Sequence, residues 1–318
     1  MTPRPSERRP RLRQRSRRLW LPLSITAFLL ALVSLDASAA VLRHANAIGR
    51  RCSPAEASPG GGHLKPRIAI VSLSDDGESI AGSVAGGRRR SSSFKGLMET
   101  VEGNKRKYAA RMGYDFIDAR GLLDRSRPPS WSKILAVRSH LRYYDWVFWN
   151  DADTLVTNPD VSLESILFGV IGHGDFDVSP DLIVTEDFNG VNAGVFFVRR
   201  SEWSERFLDT WWNQTSFVQF GSTKSGDNAA LKHLLGRLPS EESRAHVGVA
   251  PSQCLFNSYP WLPTWKSAYR LISSPWTTWK GAYSDGDFMV HLAGLDDKKR
   301  WIANILQDLV EKSVGHAI

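Results

Sequence analysis

The stretch "FWNDADTLVTNP", residues 148–159, decides the fold that the chain is expected to adopt. In it, an apolar run ends in two acids, Asp151 and Asp153, which stand two positions apart. Such a run predicts a buried β-strand, and the Asn158-Pro159 pair predicts a turn toward the next helix. In α/β sheets, ligands bind beyond the carboxyl ends of the strands. The two carboxylates are therefore candidates for a ligand site at that edge of the sheet.

The sequence on both sides of this stretch predicts an α/β domain. Apolar strand-like runs alternate with helical patterns of three- and four-residue spacing, and no internal repeat is visible. Alternation of this kind favours a mainly parallel sheet. Ser130 is the expected N-cap of the helix that precedes the strand with the two acids. Strands are predicted at 67–76, 113–119, 145–150, 176–184 and 192–200, helices at 94–112, 130–144, 160–170 and 201–215, and a Gly/Ser-rich loop at 77–93.

The positive charge of the chain lies in its first residues. Residues 1–18 contain eight arginines and one acid, a local charge of +7, so that 8 − 7 leaves +1 for residues 19–318. A nucleic-acid-binding surface needs cations that are distributed over the docking face. Because the remainder of the chain is near neutral, no nucleic-acid partner is expected.

An uncharged apolar stretch, residues 19–35, follows this basic tail. Together with the residues up to 42, it is long enough to predict a transmembrane signal-anchor. Arginines before the span place the tail, residues 1–18, in the cytoplasm and the rest of the chain in a lumenal compartment, as in a single-pass type II membrane protein. The alternative is a cleaved signal peptide, because the "ASA" at 37–39 resembles a cleavage site.

Residues 43–66 are rich in Gly, Pro, Ala and Ser, which predicts a stem or linker. The lumenal domain is then expected to cover residues 67–318. Cys52 and Cys254 could form a disulfide in an oxidising compartment, and the sequence leaves open whether they pair. One N-glycosylation sequon, at 213–215, fits the same location.

Two well-known motifs fit the pair of acids poorly. An EF-hand loop that starts at Asp151 would need glycine where Val156 stands and glutamate where Ser162 stands. An aspartyl phosphohydrolase, with the first acid as nucleophile, would need threonine where Leu155 stands. A structural interpretation stays open, in which both acids are turn residues that cap the helix expected near residue 160.

A divalent cation site is the remaining interpretation. Carboxylate oxygens suit Mg²⁺ or Mn²⁺, and two acids at i and i+2 at the end of a strand can both approach one ion. A third protein ligand must then come from elsewhere in the chain. His291 is a candidate, because it follows an apolar strand pattern and precedes Ala293-Gly294, where the chain can pass close to a ligand. An isolated histidine also fits a purely structural role.

Six segments of the chain, in a fixed order, resemble the Golgi galactosyl-, mannosyl- and xylosyltransferase family. That family includes fungal α-1,2-galactosyltransferases, fungal α-1,6-mannosyltransferase subunits and plant xyloglucan xylosyltransferases. Each segment alone is unspecific, and it is their shared order over residues 104–294 that marks the resemblance. The segments are "NKRKYAARMGYDFID", "WSKILAVRSHLRYYDWVFWNDADTLVTNPDVSLESIL", "VNAGVFFVRRSEWSERFLDTWW", "GDNAALKHLL", "PSQCLFNSYPW" and "GDFMVHLAG".

The resemblance implies a GT-A fold, Rossmann-like with a mainly parallel sheet, behind the N-terminal transmembrane anchor. It implies a retaining transfer of a hexose or pentose from a UDP- or GDP-sugar to a glycan or glycoprotein acceptor, with an α-linkage. The implied cofactor is Mn²⁺ or Mg²⁺, and the implied location is the Golgi membrane. Homo- or hetero-oligomers with other glycosyltransferases are a further expectation from the family.

The resemblance also implies roles for single residues. It assigns three metal ligands, four donor-binding residues and two residues near the reacting carbon. Lys298 is a further expected phosphate contact. The metal ligands are Asp151, Asp153 and His291, the donor-binding residues are Asp151, Asn192, Gly194 and Lys133, and the catalytic pair is Asp227 and Asn228.

Two departures from the family pattern limit the transfer of function. The family commonly has glutamine where Asn228 stands, and plant members have an acid where Gly226 stands. The donor sugar is therefore not transferred, and an inactive family member that serves as a subunit of a complex is an open alternative. The four tryptophans within residues 259–283 fit either an acceptor groove that stacks on sugar rings or ordinary core packing.

Overall fold

The computed structural model describes residues 34–50, 52, 54, 65–75, 94–220 and 225–315. The basic tail, most of the predicted membrane span and the loop predicted at 77–93 lie outside the described residues. Residues 34–43 are helical. In the described ranges, no helix combines the length and the apolar character that crossing a membrane requires.

A mixed β-sheet of six strands forms the centre of the domain, and two short strands pair beside it. The strands are β1 (Ile68–Ser72), β2 (Asp115–Asp118), β3 (Trp146–Asn150), β4 (Thr154–Val156), β5 (Leu182–Asp187), β6 (Gly190–Arg199), β7 (Val247–Val249) and β8 (Met289–His291). The order in the main sheet is β2-β1-β3-β6-β5-β7, and β4 pairs with β8.

The prediction of a mainly parallel sheet is confirmed. β1 runs parallel to β2 and β3, and β5 runs parallel to β7. β6 is antiparallel to both of its neighbours, β3 and β5. The direction against β5 follows from the connection between β5 and β6, residues 188–189, which is long enough for a hairpin and far too short for the crossover that parallel strands need.

Helices cover both faces of the main sheet. The residues of β1 are all buried, with Ala69 and Val71 in one apolar cluster and Ile68 and Ile70 in another. A continuous apolar run is what a strand covered on both faces requires. After the helical residues 34–43, the α-helices of the described residues are α1 (Leu97–Met112), α2 (Ser132–Leu141), α3 (Leu163–Ile171), α4 (Glu202–Trp212), α5 (Gly226–Leu235), α6 (Ser240–His246), α7 (Trp265–Ser273), α8 (Pro275–Gly281) and α9 (Lys298–Gly315).

The helix before β3 starts later than the sequence predicts. A 3₁₀ turn, Pro129–Trp131, precedes α2, and no side-chain hydrogen bond caps α2. Ser130 lies inside this turn, so the prediction that it caps the helix is wrong. The Pro128-Pro129 pair explains the difference, because proline favours the first turn of a helical segment. The segment therefore begins as a 3₁₀ turn at Pro129, and the α-helix follows it.

The two acids after β3 do not cap the helix that follows them. α3 begins at Leu163, and its cap is Ser162, whose Oγ accepts the backbone N–H of Ser165 at 3.1 Å. A serine in this position satisfies one of the free donors of the helix start. The capping interpretation of Asp151 and Asp153 is therefore wrong.

Residues 34–50, here called the N-terminal segment, pack onto the domain. The guanidinium of Arg50 and the carboxylate of Asp287 are both buried, and they pair at 2.5 Å and 2.7 Å. Nearer the surface, Arg43 pairs with Asp285 at 2.7 Å. These contacts join the N-terminal segment to the chain just before β8.

A disulfide extends this attachment. Cys52 is bonded to Cys254, 202 residues further along the chain. Part of the stretch expected as a linker, residues 43–66, is therefore folded against the domain in this structure. The amino-acid composition did not indicate this attachment. A segment rich in Gly, Pro and Ser can still be held to a domain by a few side chains whose partners lie far away in the sequence.

Candidate functional site

Asp151, Asp153 and His291 come together where β3 ends. Asp151 directly follows β3, and its backbone N–H donates to the carbonyl of Gly194 at 2.8 Å. Asp153 lies in the turn between β3 and β4, and its carbonyl accepts the N–H of Leu292 at 2.9 Å. Because β8 pairs with β4, His291 lies beside this turn. One candidate ligand atom from each of the three side chains lies within 4.8 Å of the others.

Asp153 is a buried carboxylate that lies between Lys298 and His291. Its Oδ2 lies 2.9 Å from Nζ of Lys298, and its Oδ1 lies 3.3 Å from Nε2 of His291. Burial raises the pKa of Asp153, but the ammonium of Lys298, joined by His291 when its imidazole is protonated, outweighs burial and holds that pKa well below its usual range. Lys298, expected as a phosphate contact, therefore pairs with Asp153 in this structure and also donates to the carbonyl of Leu292 at 2.7 Å.

The arrangement of these atoms fits a divalent cation. Nδ1 of His291 lies 2.8 Å from Oδ1 of Asn257, an amide oxygen that can only accept a hydrogen. In the neutral imidazole, Nδ1 therefore carries the hydrogen and Nε2 presents its lone pair toward Asp153. Among the described residues, Oδ1 of Asp153 is buried without a hydrogen-bond partner. Two facing electron-pair donors, with Asp151 beside them, suit Mn²⁺ or Mg²⁺.

Gly194 allows two of the candidate ligands to approach each other. Oδ1 of Asp151 accepts from Nε1 of Trp149 at 2.8 Å and from Nζ of Lys133 at 3.0 Å. A Cβ at Gly194 would lie 3.2 Å from Oδ2 of Asp151 and 2.3 Å from Cε1 of His291. Any side chain at this position would push the two apart. The absence of a side chain at Gly194 therefore leaves space between the candidate ligands Asp151 and His291.

A buried lysine links the candidate metal site to the candidate catalytic acid. Nζ of Lys133 lies 3.0 Å from Asp151 and 3.1 Å from Asp227, and it donates to the carbonyl of Ala193 at 2.9 Å. Burial lowers the pKa of Lys133, but the two carboxylates outweigh it and raise that pKa. Burial likewise raises the pKa of Asp227, and Lys133 outweighs it, so the pKa of Asp227 stays below its usual value. Lys133 and Asp227 are therefore both charged at neutral pH.

The start of α5 explains one departure from the family pattern. Asp227 lies in the first turn of α5, where its Oδ1 accepts the hydroxyl of Ser225 at 2.6 Å. A Cβ at Gly226 would lie 2.2 Å from the carbonyl oxygen of Phe217. The 3₁₀ turn that ends at Phe217 thus occupies the space that an acidic side chain at this position would need.

The two predicted amide side chains both bond groups of the protein. Oδ1 of Asn228 accepts the backbone N–H of Ala193 at 2.6 Å. Nδ2 of Asn192 donates to Oδ2 of Asp187 at 3.1 Å and to the hydroxyl oxygen of Tyr259 at 2.8 Å. Both amides therefore hold the first half of β6 in place.

Two buried polar residues at this site were not predicted from the sequence. Lys105 of α1 donates to Oγ of Ser72 and to the carbonyl of Asp151, both at 3.0 Å. Burial lowers the pKa of Lys105 to about 7, against the raising effect of the site carboxylates. Asn257, the partner of the imidazole, is fully buried. Both residues lie in segments of the family resemblance, and that was the only signal that could have indicated them.

The tryptophans within residues 259–283 do not form one group. Trp265 and Trp276 are exposed, at 62% and 66%, so core packing does not apply to them. Trp261 and Trp279 are half-buried. An acceptor groove on this surface stays a prediction.

A family match defines the class of this protein. Residues 66–170 and 177–301 match the galactosyl transferase GMA12/MNN10 family. The matched ranges contain every site residue described above. The chain belongs to the galactosyl transferase GMA12/MNN10 family.

Two fungal proteins illustrate the relationship. An uncharacterized α-1,2-galactosyltransferase of Schizosaccharomyces pombe is 28% identical over 236 residues, which cover 64% of this chain and 58% of that protein. A probable α-1,6-mannosyltransferase of Saccharomyces cerevisiae, MNN10, is 27% identical over 258 residues, which cover 72% of this chain and 62% of that protein. The aligned part of the chain thus spans 58% and 62% of the length of these two relatives.

Solved structures show a weaker likeness. A glycosyltransferase involved in the glycosylation of the major capsid of PBCV-1 superimposes with a TM-score of 0.46 at 13% sequence identity, over 76% of this chain and 100% of that chain. A likeness of this size does not assign a fold family. Family membership therefore rests on the sequence match.

Proposed function

We propose that the chain is a metal-dependent retaining glycosyltransferase with a GT-A fold. It would transfer a hexose or pentose from a UDP- or GDP-sugar to a glycan or glycoprotein acceptor and form an α-linkage. The observation that carries the proposal is the convergence of Asp151, Asp153 and His291 at the edge of the sheet, in a chain of the GMA12/MNN10 family.

The charges of the site suit a nucleotide diphosphate. Asp151, Asp153 and His291 would hold Mn²⁺ or Mg²⁺, and an ion bound there would supply positive charge to the departing diphosphate. Two buried ammonium groups lie at the same carboxylates, Lys133 at 3.0 Å from Asp151 and Lys298 at 2.9 Å from Asp153. They partly offset the negative charge of the site carboxylates, which an anionic donor would otherwise meet.

Asp227 is the residue proposed to act on the reacting sugar. It stays ionised because Lys133 pairs with it, so it can stabilise the positive charge that develops on the sugar ring. In a retaining transfer, the bond from the anomeric carbon to the diphosphate breaks with its electron pair on the phosphate oxygen. The acceptor oxygen bonds to the same face of the sugar, and its proton goes to that phosphate oxygen. A separate protein base is therefore not needed.

The proposed location is the Golgi membrane, with the domain in the lumen. Support comes from the arginine-rich residues 1–18 and from the uncharged stretch 19–35 that begins the proposed anchor, residues 19–42. Asn213 of the sequon is exposed at the end of α4, where an oligosaccharide would be accessible. Proposed partners are the glycan or glycoprotein acceptor and other glycosyltransferases of the same membrane.

The full-length chain, incubated with a series of UDP- and GDP-sugars, tests the proposal. Release of UDP or GDP should require Mn²⁺ or Mg²⁺, and the product formed with an acceptor should have an α-linkage by NMR. Donor binding in a thermal-shift assay without turnover on any acceptor would favour the inactive-subunit alternative. Release of inorganic phosphate, with a phosphate mimic trapped at Asp151, would favour a phosphohydrolase.

A further inference from the structure

We infer that Asp187, Tyr259, Asn192 and Asn257 act together to aim Nε2 of His291 at the metal position. These four residues are called the amide relay below. They are positioning residues, since they act through the imidazole. The inference deepens the proposed function and rests on His291 being a metal ligand.

The relay begins at Asp187, the last residue of β5. Its Oδ2 accepts the hydroxyl hydrogen of Tyr259 at 2.7 Å and an amide hydrogen of Asn192 at 3.1 Å. Because Tyr259 donates its single hydrogen to Asp187, its oxygen accepts from the same Nδ2 of Asn192, at 2.8 Å. Asp187 and Tyr259 therefore fix which end of the Asn192 amide is the nitrogen.

The orientation of the Asn192 amide in turn determines that of Asn257. Its Oδ1 accepts the backbone N–H of Gly194 at 2.9 Å and an amide hydrogen of Asn257 at 3.1 Å. Nδ2 of Asn257 also donates to Oγ1 of Thr185 at 2.8 Å. The nitrogen end of Asn257 is thus turned away from His291, and its oxygen end faces Nδ1 of His291 at 2.8 Å.

The relay ends by fixing both the tautomer and the position of His291. An amide oxygen has no hydrogen to give, so Nδ1 must donate, and in the neutral ring the lone pair stays on Nε2, 3.3 Å from Asp153. The ring of Tyr259 packs edge-on against the imidazole, with 5.5 Å between centroids and an angle of 77°. The backbone N–H of His291 donates to the carbonyl of Ser258 at 2.8 Å. The imidazole is therefore held by its backbone, its ring face and its Nδ1.

The relay gives Asn192 a different role from the one its sequence resemblance implies. Its amide oxygen and its amide nitrogen each serve two bonds inside the protein. Variants of Asn192 should therefore weaken metal binding in the absence of any sugar nucleotide. A residue that only read the donor sugar would leave that binding unchanged.

Asn257→Leu in the full-length chain is the direct test, with Mn²⁺ alone as the probe and free Mn²⁺ followed by electron paramagnetic resonance. Loss of the partner of a metal-bound histidine typically weakens metal affinity by about 10- to 100-fold, and we expect a loss of that size. Asn257→Asp keeps an acceptor at Nδ1 but removes the donor to Asn192 and Thr185, so it should restore only part of the affinity lost in Asn257→Leu. Asn189→Leu, the same substitution at an exposed position, is the matched control and should change nothing.

A double-mutant cycle separates positioning from a general structural role. In the His291→Ala background, Asn257→Leu should not weaken Mn²⁺ binding further, because the group on which Asn257 acts is gone. An equal loss in both backgrounds would show that Asn257 acts on the site by another route, and would overturn the inference. Unchanged affinity of Asn257→Leu in the wild-type background would overturn it as well.

The tautomer of His291 can be measured without any metal. In ¹⁵N-histidine NMR spectra of the full-length chain, the signals of His291 are those that disappear in His291→Ala. At a pH where the imidazole is neutral, we expect the Nδ1–H tautomer in the wild type and its loss in Asn257→Leu. An Nε2–H tautomer in the metal-free wild type would overturn the relay, whereas a wild type that binds no Mn²⁺ would contradict the proposed metal site. The two failures are therefore distinguishable.

Discussion

Oδ1 of Asp153 lies 3.3 Å from Nε2 of His291, at the point where β4 pairs with β8. Nδ1 of the same imidazole is engaged by Asn257, so two electron-pair donors face each other in a buried position. A cation between them would remove this conflict. The charges around this pair therefore govern both the expected chemistry and the stability of the site.

Asp153→Asn should abolish measurable transfer, a loss of at least about 10²- to 10³-fold in turnover, since an electrostatic contact to the reacting groups is removed. The domain should lose stability, because the buried Lys298 loses its ion pair, but it should stay folded, since Lys298 keeps its bond to the carbonyl of Leu292. Nucleotide release at saturating Mn²⁺ and circular dichroism provide the two measurements. Asp160→Asn, at an exposed acid a few residues further on, is the control and should remain active. Near wild-type activity of Asp153→Asn would rule out Asp153 as a ligand.

Asp227→Asn should make the free energy of unfolding less dependent on pH in acid. The pKa of Asp227 is lower in the folded protein than the value of about 3.9 expected for an unfolded chain. Its contribution to stability is therefore present above about pH 4 and is lost as the pH falls through the folded value. Below about pH 4, the free energy of unfolding of the wild type should fall more steeply than that of the variant, by up to about 1.4 kcal/mol per pH unit.

Urea unfolding at a series of pH values measures this slope. Ser225→Ala is a useful companion, because it keeps the carboxyl group of Asp227 and removes the hydroxyl that donates to it at 2.6 Å. Its acid-dependent loss of stability should be smaller than that of the wild type and should be complete at a higher pH, because the folded pKa of Asp227 moves back toward the unfolded value. Equal slopes for the wild type and Asp227→Asn would contradict the depressed pKa.

Arg50→Ala should lower the free energy of unfolding by about 3–5 kcal/mol, because it leaves the buried carboxylate of Asp287 without its ion pair. Arg43→Ala is the matched control. The side chain of Arg43 is 40% exposed, so the loss of its pair with Asp285 should cost less than about 1 kcal/mol. Urea unfolding under non-reducing conditions compares the two variants. Similar losses would show that the N-terminal segment is not anchored through Arg50.

Gly226→Ala and Gly103→Ala should change stability in opposite directions. Alanine is usually more stable than glycine inside a helix by about 0.5–1 kcal/mol, and at Gly103 of α1 an added Cβ meets nothing within 4 Å. At Gly226 the added Cβ would lie 2.2 Å from the carbonyl of Phe217, and forcing atoms into a packed site costs about 1–3 kcal/mol. Melting temperatures of the two variants should therefore move up and down, respectively. A gain at both positions would argue against the tight packing of α5 on the preceding turn.

Local pattern predicted the strands of the main sheet better than it predicted their direction. β1 and β3 are runs of buried residues, and such runs are visible in the sequence without any partner. The antiparallel direction of β6 depends on the two-residue connection after β5. The strand predicted at 176–184 ended before Asp187, so the sequence did not show how short this connection is. β4 and β8 have three residues each, so each is defined by its pairing with the other and not by its own composition.

Asp151 and Asp153 were recognisable as a candidate site because they end an apolar strand. His291 was recognisable because it follows an apolar strand pattern and precedes Ala293-Gly294, and the family resemblance then supported it. Asn257 and Lys105 were not recognised, although both are buried at the site. A single polar residue in a loop or helix pattern carries no sign of its burial. Whether such a residue is buried depends on atoms that other helices, strands and loops contribute.

The sequence alone determined the α/β class, the strand that delivers the two acids and the family to which the chain belongs. These properties follow from hydrophobic periodicity and from the order of residues, which are local quantities. Only the tertiary structure decided that Lys133 joins Asp151 to Asp227, that Arg50 reaches Asp287, and that Asn257 orients His291. Hydrogen-bond direction and charge pairing depend on distances between residues that are remote in the chain, and folding sets those distances.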